Sequence, residues 1–500
     1  MDIKEAKDKL AAYQKKAAAY LHALELLNFD GATSAPRGAA AARGETMATL
    51  SGELYALSTS NEVAELLLFL ESERKKLTAE EDRTVYLLLK DSKKNAKIPR
   101  DLYIAYRAQV VRADDVWHRA KESSDYALFS PELEKIIEMK KEIAGYVEPD
   151  SDPYDYCLHE YEEKLDSEKL DAFFGTLRER ISPLLSSISK TPQIDNAIRN
   201  GFFPSKDQEK LSLYLMDLIG LDPEHVALST TEHPFTISLG SHLDERITTH
   251  YYEDDFASSM YSVIHEGGHA LYETGCDDRY VFTVLDEGTS MSIHESQSRF
   301  YENIIGRSRA FCTLVFPKIR EIFPEQMKGY CAEDLFRSVN RVEPSLIRTE
   351  ADEVTYCFHI MIRYELEKRL MLGDLTVKEL PHEWNRLYKE YLGVEVPTDK
   401  EGVLQDTHWS GGMIGYFPSY ALGNAYGAQF YREMKKEIDV EKCILSGDFA
   451  PINEWNRKNI WQYGKLYTPD ELIRRITGGS FDPSAYADYL TEKYGEIYGL

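Results

Sequence analysis

The sequence predicts a mainly α-helical fold with one small β-sheet. Apolar residues recur every three or four positions through most of the chain, which is the spacing of amphipathic helices. This periodicity holds, with few interrupting glycines or prolines, over residues 1–29, 41–75, 80–146 and 167–190. One segment differs: "HPFTISLGSHLDERITTHYYE" (233–253) alternates and is rich in β-branched and aromatic residues. Because Gly240 and Ser241 interrupt it, it predicts two short strands joined by a turn.

Helical periodicity returns at about residue 255 and continues, with breaks, to the end of the sequence. No shift in composition, low-complexity linker or internal repeat divides the 500 residues. We therefore expect a single large domain over residues 1–500, with a cleft.

Composition narrows the class of protein. Hydrophobic residues make up 43% and charged residues 29% of the chain, as in ordinary soluble globular proteins. The net charge of -26 argues against nucleic acid or an anionic membrane surface as a partner. No apolar run approaches 18 residues, so we expect no transmembrane helix. The first residues, "MDIKEAKDKLAAYQ", are charged and lack the apolar segment of a secretory signal peptide. The six cysteines lack CxxC spacing and indicate reduced thiols, so we expect a cytoplasmic protein.

The stretch "VIHEGGHALYE" (263–273) is the strongest candidate for chemistry. On a helix over 255–274, ended by Gly275, His265 and His269 lie one turn apart on the same face and can reach one metal ion. Glu266 is rotated by about 100° from His265, where it can serve as a general base without being a ligand. The alternative is a structural helix with two surface histidines.

Gly267 and Gly268 weaken that alternative. Two glycines inside a helix cost about 1 kcal/mol each relative to alanine, which a purely structural helix would avoid. We therefore expect another segment to approach this backbone closely.

A catalytic zinc usually takes three protein ligands. The extended HExxHxxGxxH motif is absent, because Tyr272 and Gly275 occupy the positions of its Gly and last His. Glu295, in "IHESQSRFYEN" (293–303), is the favoured third ligand, with His294 as the competing donor and Glu302 as a lesser one. Arg299 stands where an acidic partner four residues after Glu295 would be expected. The sequence therefore does not identify the groups that orient the imidazoles.

Further motifs accompany HEGGH in a fixed order. They are "HPF" (233–235), "DERIT" (244–248), "HESQSR" (294–299), "IRTEAD" (347–352) and "GVLQDTHW" (402–409), with "DGATSAPRGAAAARGE" (30–45) near the start. In these motifs the chain resembles the carboxypeptidase Taq family of HEXXH metallocarboxypeptidases over nearly its whole length. The resemblance implies a mostly helical, elongated fold with a deep groove, a homodimer, and removal of C-terminal amino acids from peptides. It also implies that His265, His269 and Glu295 are the metal ligands and that Glu266 is the general base.

The donor set favours zinc, and cobalt fits the same geometry. A tetrahedral oxyanion needs a further donor, for which the Gly-rich stretch "THWSGGMIGYFPSYALGN" (407–424) offers His408, Tyr416 and Tyr420. The alternative for each tyrosine is a structural role, because the chain contains 33 of them.

An exopeptidase must also bind a free carboxylate, which arginine does with two parallel hydrogen bonds. Arg246 and Arg348 are the candidates, although each could instead form an ion pair, with Asp244 and Asp352 respectively. His233 and Gln405 are further candidates for substrate binding, and Gln405 could instead orient its neighbours. The "HPFTIS" segment could pair with the substrate backbone or be an ordinary sheet edge.

Two other functions remain open at this point. An oligoendopeptidase would use the same metal chemistry without a carboxylate clamp. A non-catalytic, metal-stabilised helical scaffold would close the ion with four protein ligands.

Overall fold

The computed structural model describes residues 1–500 and confirms the mainly α-helical class, with twenty α-helices and one three-stranded sheet. The helices are α1 (Ile3–Thr33), α2 (Ala40–Ser58), α3 (Asn61–Ser72), α4 (Ala79–Lys97), α5 (Arg100–Ser123), α6 (Tyr126–Val147), α7 (Pro153–His159), α8 (Ser167–Ile188), α9 (Ser205–Ile219), α10 (Phe256–Thr274), α11 (Met291–Arg299), α12 (Arg309–Ile322), α13 (Ala332–Val339), α14 (Glu353–Leu372), α15 (Leu380–Leu392), α16 (Pro418–Met434), α17 (Val440–Ser446), α18 (Ala450–Asn459), α19 (Pro469–Thr477) and α20 (Ser484–Tyr498). The strands are β1 (Val226–Thr230), β2 (Thr236–Ser238) and β3 (Glu245–Thr249).

Local chemistry sets the helix boundaries within the long helical stretch at 80–146. Helix α4 ends at Lys97, because Ile98 precedes Pro99 and a residue before proline disfavours the helical conformation. Helix α5 ends where Ser124 takes a left-handed conformation (φ 52°), and the Asp125 side chain then caps α6.

The sheet has the strand order β1-β3-β2. Strands β2 and β3 pair antiparallel and match the two predicted strands, whereas β1 was not predicted. Strand β1 pairs parallel with β3, from Val226 opposite Glu245 to Thr230 opposite Thr249. Its sequence, "VALST", lacks a clear apolar alternation, so this strand depends on its distant partner. Strand β2 is paired on one side only and forms an edge.

Two large clusters of buried apolar side chains support the fold, beside a small one of Cys276, Tyr280 and Leu285. The larger has 105 residues and runs from Ile98 to Ile497. The smaller has eight residues, from helices α1, α3 and α4. A groove of about 1250 Å³ is lined by residues of α1–α4 on one side and of β2, α10 and α11 on the other.

All six cysteines are free thiols. No helix combines the length and apolar character needed to cross a bilayer.

Candidate metal centre

Helix α10 carries the HEGGH motif and begins at Phe256. It is capped by Asp255, whose side chain accepts a hydrogen bond from the Ala257 N–H. It ends at Thr274, as expected. Gly275 has a φ of −81°, so no left-handed conformation requires glycine there. A Cβ at this position would lie 2.5 Å from Cε3 of Trp461, so the glycine makes room for that ring instead.

The structure brings His265, His269 and Glu295 together at the groove. The Nε2 atoms of His265 and His269 lie 3.9 and 3.6 Å from Oε2 of Glu295. A tetrahedral zinc ion with bonds of about 2.1 Å separates its ligand atoms by roughly 3.4 Å. The three side chains therefore fit a divalent metal ion after only a slight contraction.

Glycines let the helices around Glu295 approach closely. A Cβ on Gly268 would lie 2.7 Å from the carbonyl oxygen of Gln297 and from Cα of Ser298, so α10 packs directly on the backbone of α11. A Cβ on Gly423 of α16 would lie 2.6 Å from Cβ of Glu295. Helix α11 is thus held between α10 and α16, which accounts for one of the paired glycines in HEGGH.

The two alternatives to Glu295 lie against the other ring nitrogens of the histidines. Glu302 Oε2 is 2.9 Å from Nδ1 of His265. His294 Nδ1 is 2.6 Å from Nδ1 of His269, and its Nε2 is 2.5 Å from Oε1 of Glu273. Groups in these positions fix the tautomer and orientation of a metal-binding imidazole.

Glu302 belongs to a π-helical segment, Phe300–Gly306, that follows α11. Arg299 links this carboxylate to Glu295, with distances of 3.0 and 2.7 Å, and Arg307 donates to Glu302 at 3.1 Å. Burial by itself would raise the pKa of Glu302, but Arg299, His265 and Arg307 outweigh it and hold the pKa well below its usual range. The orienting carboxylate is therefore ionised.

Glu266 is buried at the groove and is positioned by strand β2. The Thr236 hydroxyl donates to its Oε2 at 2.6 Å and is also 3.1 Å from its main-chain oxygen. Burial raises the pKa of Glu266, which makes its carboxylate a stronger base than an exposed one.

Of the residues predicted in the Gly-rich stretch, Tyr416 and Tyr420 line the groove. Nε2 of His408 lies 3.0 Å from the Tyr420 hydroxyl. Burial lowers the pKa of His408 to about 3, and Arg348 and Arg363 contribute to the effect. His408 is therefore neutral at physiological pH.

Both candidate arginines are in ion pairs. Arg246 donates to Asp244 at 2.6 and 3.1 Å, which is the alternative that its sequence suggested. Arg348 does not pair with Asp352, because that side chain caps α14 by accepting from Val354 N. Arg348 pairs instead with Asp406 at 2.9 Å. Neither arginine lines the groove, although the Arg348 guanidinium lies over the ring of Tyr420, 4.8 Å from its centre.

Gln405 and His233 also lie away from the groove lining. Gln405 Oε1 accepts from the Arg348 N–H at 3.0 Å and from Arg363 at 2.8 Å, so this side chain orients its neighbours. His233 is exposed, whereas the residues that follow it, 234–238, line the groove next to Glu266.

The groove is lined by acidic side chains without lysine or arginine. Seven carboxylate side chains line it. These carboxylates belong to Glu25, Asp91, Glu266, Glu273, Asp286, Glu287 and Glu295.

Comparisons with known proteins agree on one family. The sequence model for carboxypeptidase Taq (M32) metallopeptidases matches residues 9–494. Carboxypeptidase 1 of Bacillus subtilis (strain 168) is 38% identical over 488 residues, 97% of each chain. Thermostable carboxypeptidase 1 of Thermus thermophilus is 38% identical over 415 residues, 80% of this chain and 81% of that one.

Solved structures show the same similarity. The M32 carboxypeptidase from Deinococcus radiodurans R1 superposes with a TM-score of 0.96 at 35% identity, covering 99% of this chain and 100% of the other. Metallocarboxypeptidase 1 of Trypanosoma cruzi gives a TM-score of 0.93 at 33% identity, with 98% and 99% coverage.

Proposed function

This chain belongs to the carboxypeptidase Taq (M32) family of metallopeptidases, and on that premise we propose that His265, His269 and Glu295 hold its metal ion while Glu266 is the general base. The protein is thus a metal-dependent carboxypeptidase that hydrolyses peptides. The observation that carries the residue assignment is the convergence of the two Nε2 atoms and one carboxylate at the groove. We propose zinc as the ion, because two imidazoles and one carboxylate are its usual catalytic donors, and cobalt as a substitute.

A zinc ion bound by these side chains would supply Lewis-acid polarisation of the scissile carbonyl. Glu266 accepts the proton of the attacking water and then transfers it to the leaving amine. The hydrogen bond from Thr236 holds one carboxylate oxygen and leaves the other for the water.

Tyr420 donates to the developing oxyanion, and His408 positions its hydroxyl. The buried Nδ1 of His408 has no hydrogen-bond partner, so the ring proton is better placed on Nε2, from which it is donated to the tyrosine oxygen. The Tyr420 O–H is then free to donate to the substrate.

We propose that at least one of Arg246 and Arg348 binds the terminal carboxylate, with Gln405 holding the Arg348 main chain. The edge strand β2 lies in the groove wall, where a substrate backbone can pair with it, and His233 stands at the entry of that strand.

We also propose one catalytic domain over residues 1–500, a homodimer and a cytoplasmic location. Six free thiols support a reducing compartment, and the family resemblance supports the dimer.

Mass spectrometry of an unstructured ten-residue peptide tests the function, beside the same peptide with an amidated C-terminus. Metal-loaded protein should shorten the free peptide stepwise from its C-terminus and leave the amidated peptide intact. Internal cuts in both peptides would instead favour an oligoendopeptidase. No cleavage of either peptide, with metal shown to be bound, would support a non-catalytic scaffold.

A further inference from the structure

A second group of metal-ligand side chains lies outside the HEGGH centre, the candidate site formed by His265, His269 and Glu295. We propose that His242, Cys276 and Asp286 form a second site for a divalent cation of the zinc class. Their donor atoms lie within 4.8 Å of one another. The exposed fractions are 2% for the His242 side chain, 3% for Cys276 and 3% for the Asp286 side chain. The three groups are thus enclosed, and each is a common zinc donor.

His242 is oriented in the way that metal-binding histidines usually are. Its Nε2 lies 3.2 Å from Oδ1 of Asp278, and its Nδ1 contacts Oδ1 of Asp286. With the ring proton on Nε2 and donated to Asp278, the Nδ1 lone pair points at a carboxylate oxygen. Either a second ring proton or a shared cation satisfies these two lone pairs, and a metal ion would bind after the two atoms move apart.

Two buried carboxyl groups in this region, those of Asp286 and Glu245, have oxygens without a hydrogen-bond partner. Oδ2 of Asp286 and both carboxylate oxygens of Glu245 are buried without a hydrogen-bond partner. Glu245 is completely buried. The pKa of Glu245 is raised well above its usual value by burial, and Glu273 and Asp286 add to this. A buried carboxylate is either protonated, as the raised pKa favours for Glu245, or coordinated, and the unpartnered Oδ2 of Asp286 is open to a divalent cation.

The donor types select the class of ion. Calcium and magnesium prefer an all-oxygen shell, whereas sulfur, imidazole and carboxylate together suit zinc or cobalt. On binding, the Cys276 thiol loses its proton to solvent, and its thiolate forms the bond to the metal. Water or the second oxygen of Asp286 would be the fourth ligand of the ion.

The site joins three segments around the catalytic helices. His242 lies in the turn between β2 and β3, Cys276 follows the end of α10, and Asp286 lies in the connection from α10 to α11. Because α10 carries His265 and His269 while α11 carries Glu295, the ion would fix the connection between the ligand-bearing helices. Its role is structural, and the chemistry stays at the HEGGH centre.

Zinc content and cobalt spectroscopy test the proposal on the full chain. Protein purified under reducing conditions and dialysed against zinc should hold two ions per chain, measured by inductively coupled plasma mass spectrometry. Cys276→Ala should hold one, whereas the matched control Cys443→Ala, which changes a partly exposed thiol, should keep two. His265→Ala should also hold one, because it removes only a donor of the HEGGH centre.

Cobalt distinguishes the two sites directly, since only the second contains sulfur. Cobalt-loaded wild-type protein and His265→Ala should both show a near-ultraviolet thiolate-to-cobalt charge-transfer band, which Cys276→Ala should lack. Should Cys276→Ala fail to fold, the zinc content of His242→Gln and the cobalt spectrum of the wild-type protein test the proposal instead. One ion per chain, or two ions without a thiolate band while six thiols remain reduced, would overturn the proposal. His242 would then be an imidazolium held between two aspartates.

Discussion

Glu302 Oε2 lies 2.9 Å from Nδ1 of His265, on the opposite side of the ring from Glu295, which faces Nε2 at 3.9 Å. The imidazole is thus held by an ionised carboxylate on one side and directed towards the candidate metal ion on the other.

Glu302→Gln should weaken metal binding by about 10- to 100-fold, because the neutral amide holds the His265 ring less strongly. Dissociation constants from competition with a zinc indicator measure the effect. Activity should recover at saturating zinc. Glu325→Gln, which changes an exposed glutamate, is the control. Equal affinities in the two variants would remove the orienting role from Glu302.

Glu266→Gln should lower kcat by roughly 10²- to 10⁴-fold with no loss of bound metal, since it removes a base and leaves the three ligands in place. Peptide hydrolysis and metal content should be measured on the same sample. A variant that keeps more than a tenth of wild-type kcat would contradict the assignment of the base.

Arg246→Met and Arg348→Met separate recognition from stability. Arg246 forms a half-exposed pair, so its loss should cost at most about 1 kcal/mol of folding free energy. Arg348 pairs with Asp406 in a buried network, so its loss should cost about 3–5 kcal/mol. At least one variant should raise KM for free-acid peptides. An unchanged KM in both would mean that other groups bind the carboxylate.

Gly268→Ala should destabilise the protein more than Gly267→Ala. The new methyl group at 268 meets main-chain atoms of α11, with an overpacking cost of about 1–3 kcal/mol. At 267 it meets the end of the Ile219 side chain, which can move, and the gain in helix propensity of about 1 kcal/mol offsets the rest. Thermal midpoints and zinc affinity report both effects. A reversed order would argue against direct backbone packing of α10 on α11.

His408 should make stability depend on pH. Its pKa is about 3 in the folded protein and about 6.5 when unfolded, so between these values only the unfolded chain binds the proton. Stability is therefore lost as the pH falls below 6.5, by about 2 kcal/mol at pH 5. His408→Gln should lack this loss in urea denaturation at pH 7 and 5, while His382→Gln, at the surface, should behave like the wild type. Parallel losses in all three proteins would contradict the burial argument.

The features that the sequence predicts correctly depend on local geometry. Two histidines four residues apart share a helix face whatever surrounds them, and α10 was expected within one residue of its observed start. The paired glycines likewise predicted the close approach of another segment, which α11 makes at Gly268.

The remaining features depend on long-range packing. Glu302 is seven residues after Glu295, and the π-helical segment that aims it at His265 has no signature in the spacing of apolar residues. Asp406 pairs with Arg348 across 58 positions, so the sequence offered only a nearby aspartate, Asp352, as the alternative partner. Strand β1 likewise depends on pairing with β3.

The packing of α16 against Glu295 has a consequence for biosynthesis. Gly423 and Tyr420 lie more than four-fifths of the way along the chain, yet they complete the environment of a ligand on α11. A ribosome-bound chain that ends before α16 holds HEGGH without the wall that encloses Glu295. The nascent polypeptide is therefore expected to remain inactive as a peptidase until α16 has emerged, late in synthesis.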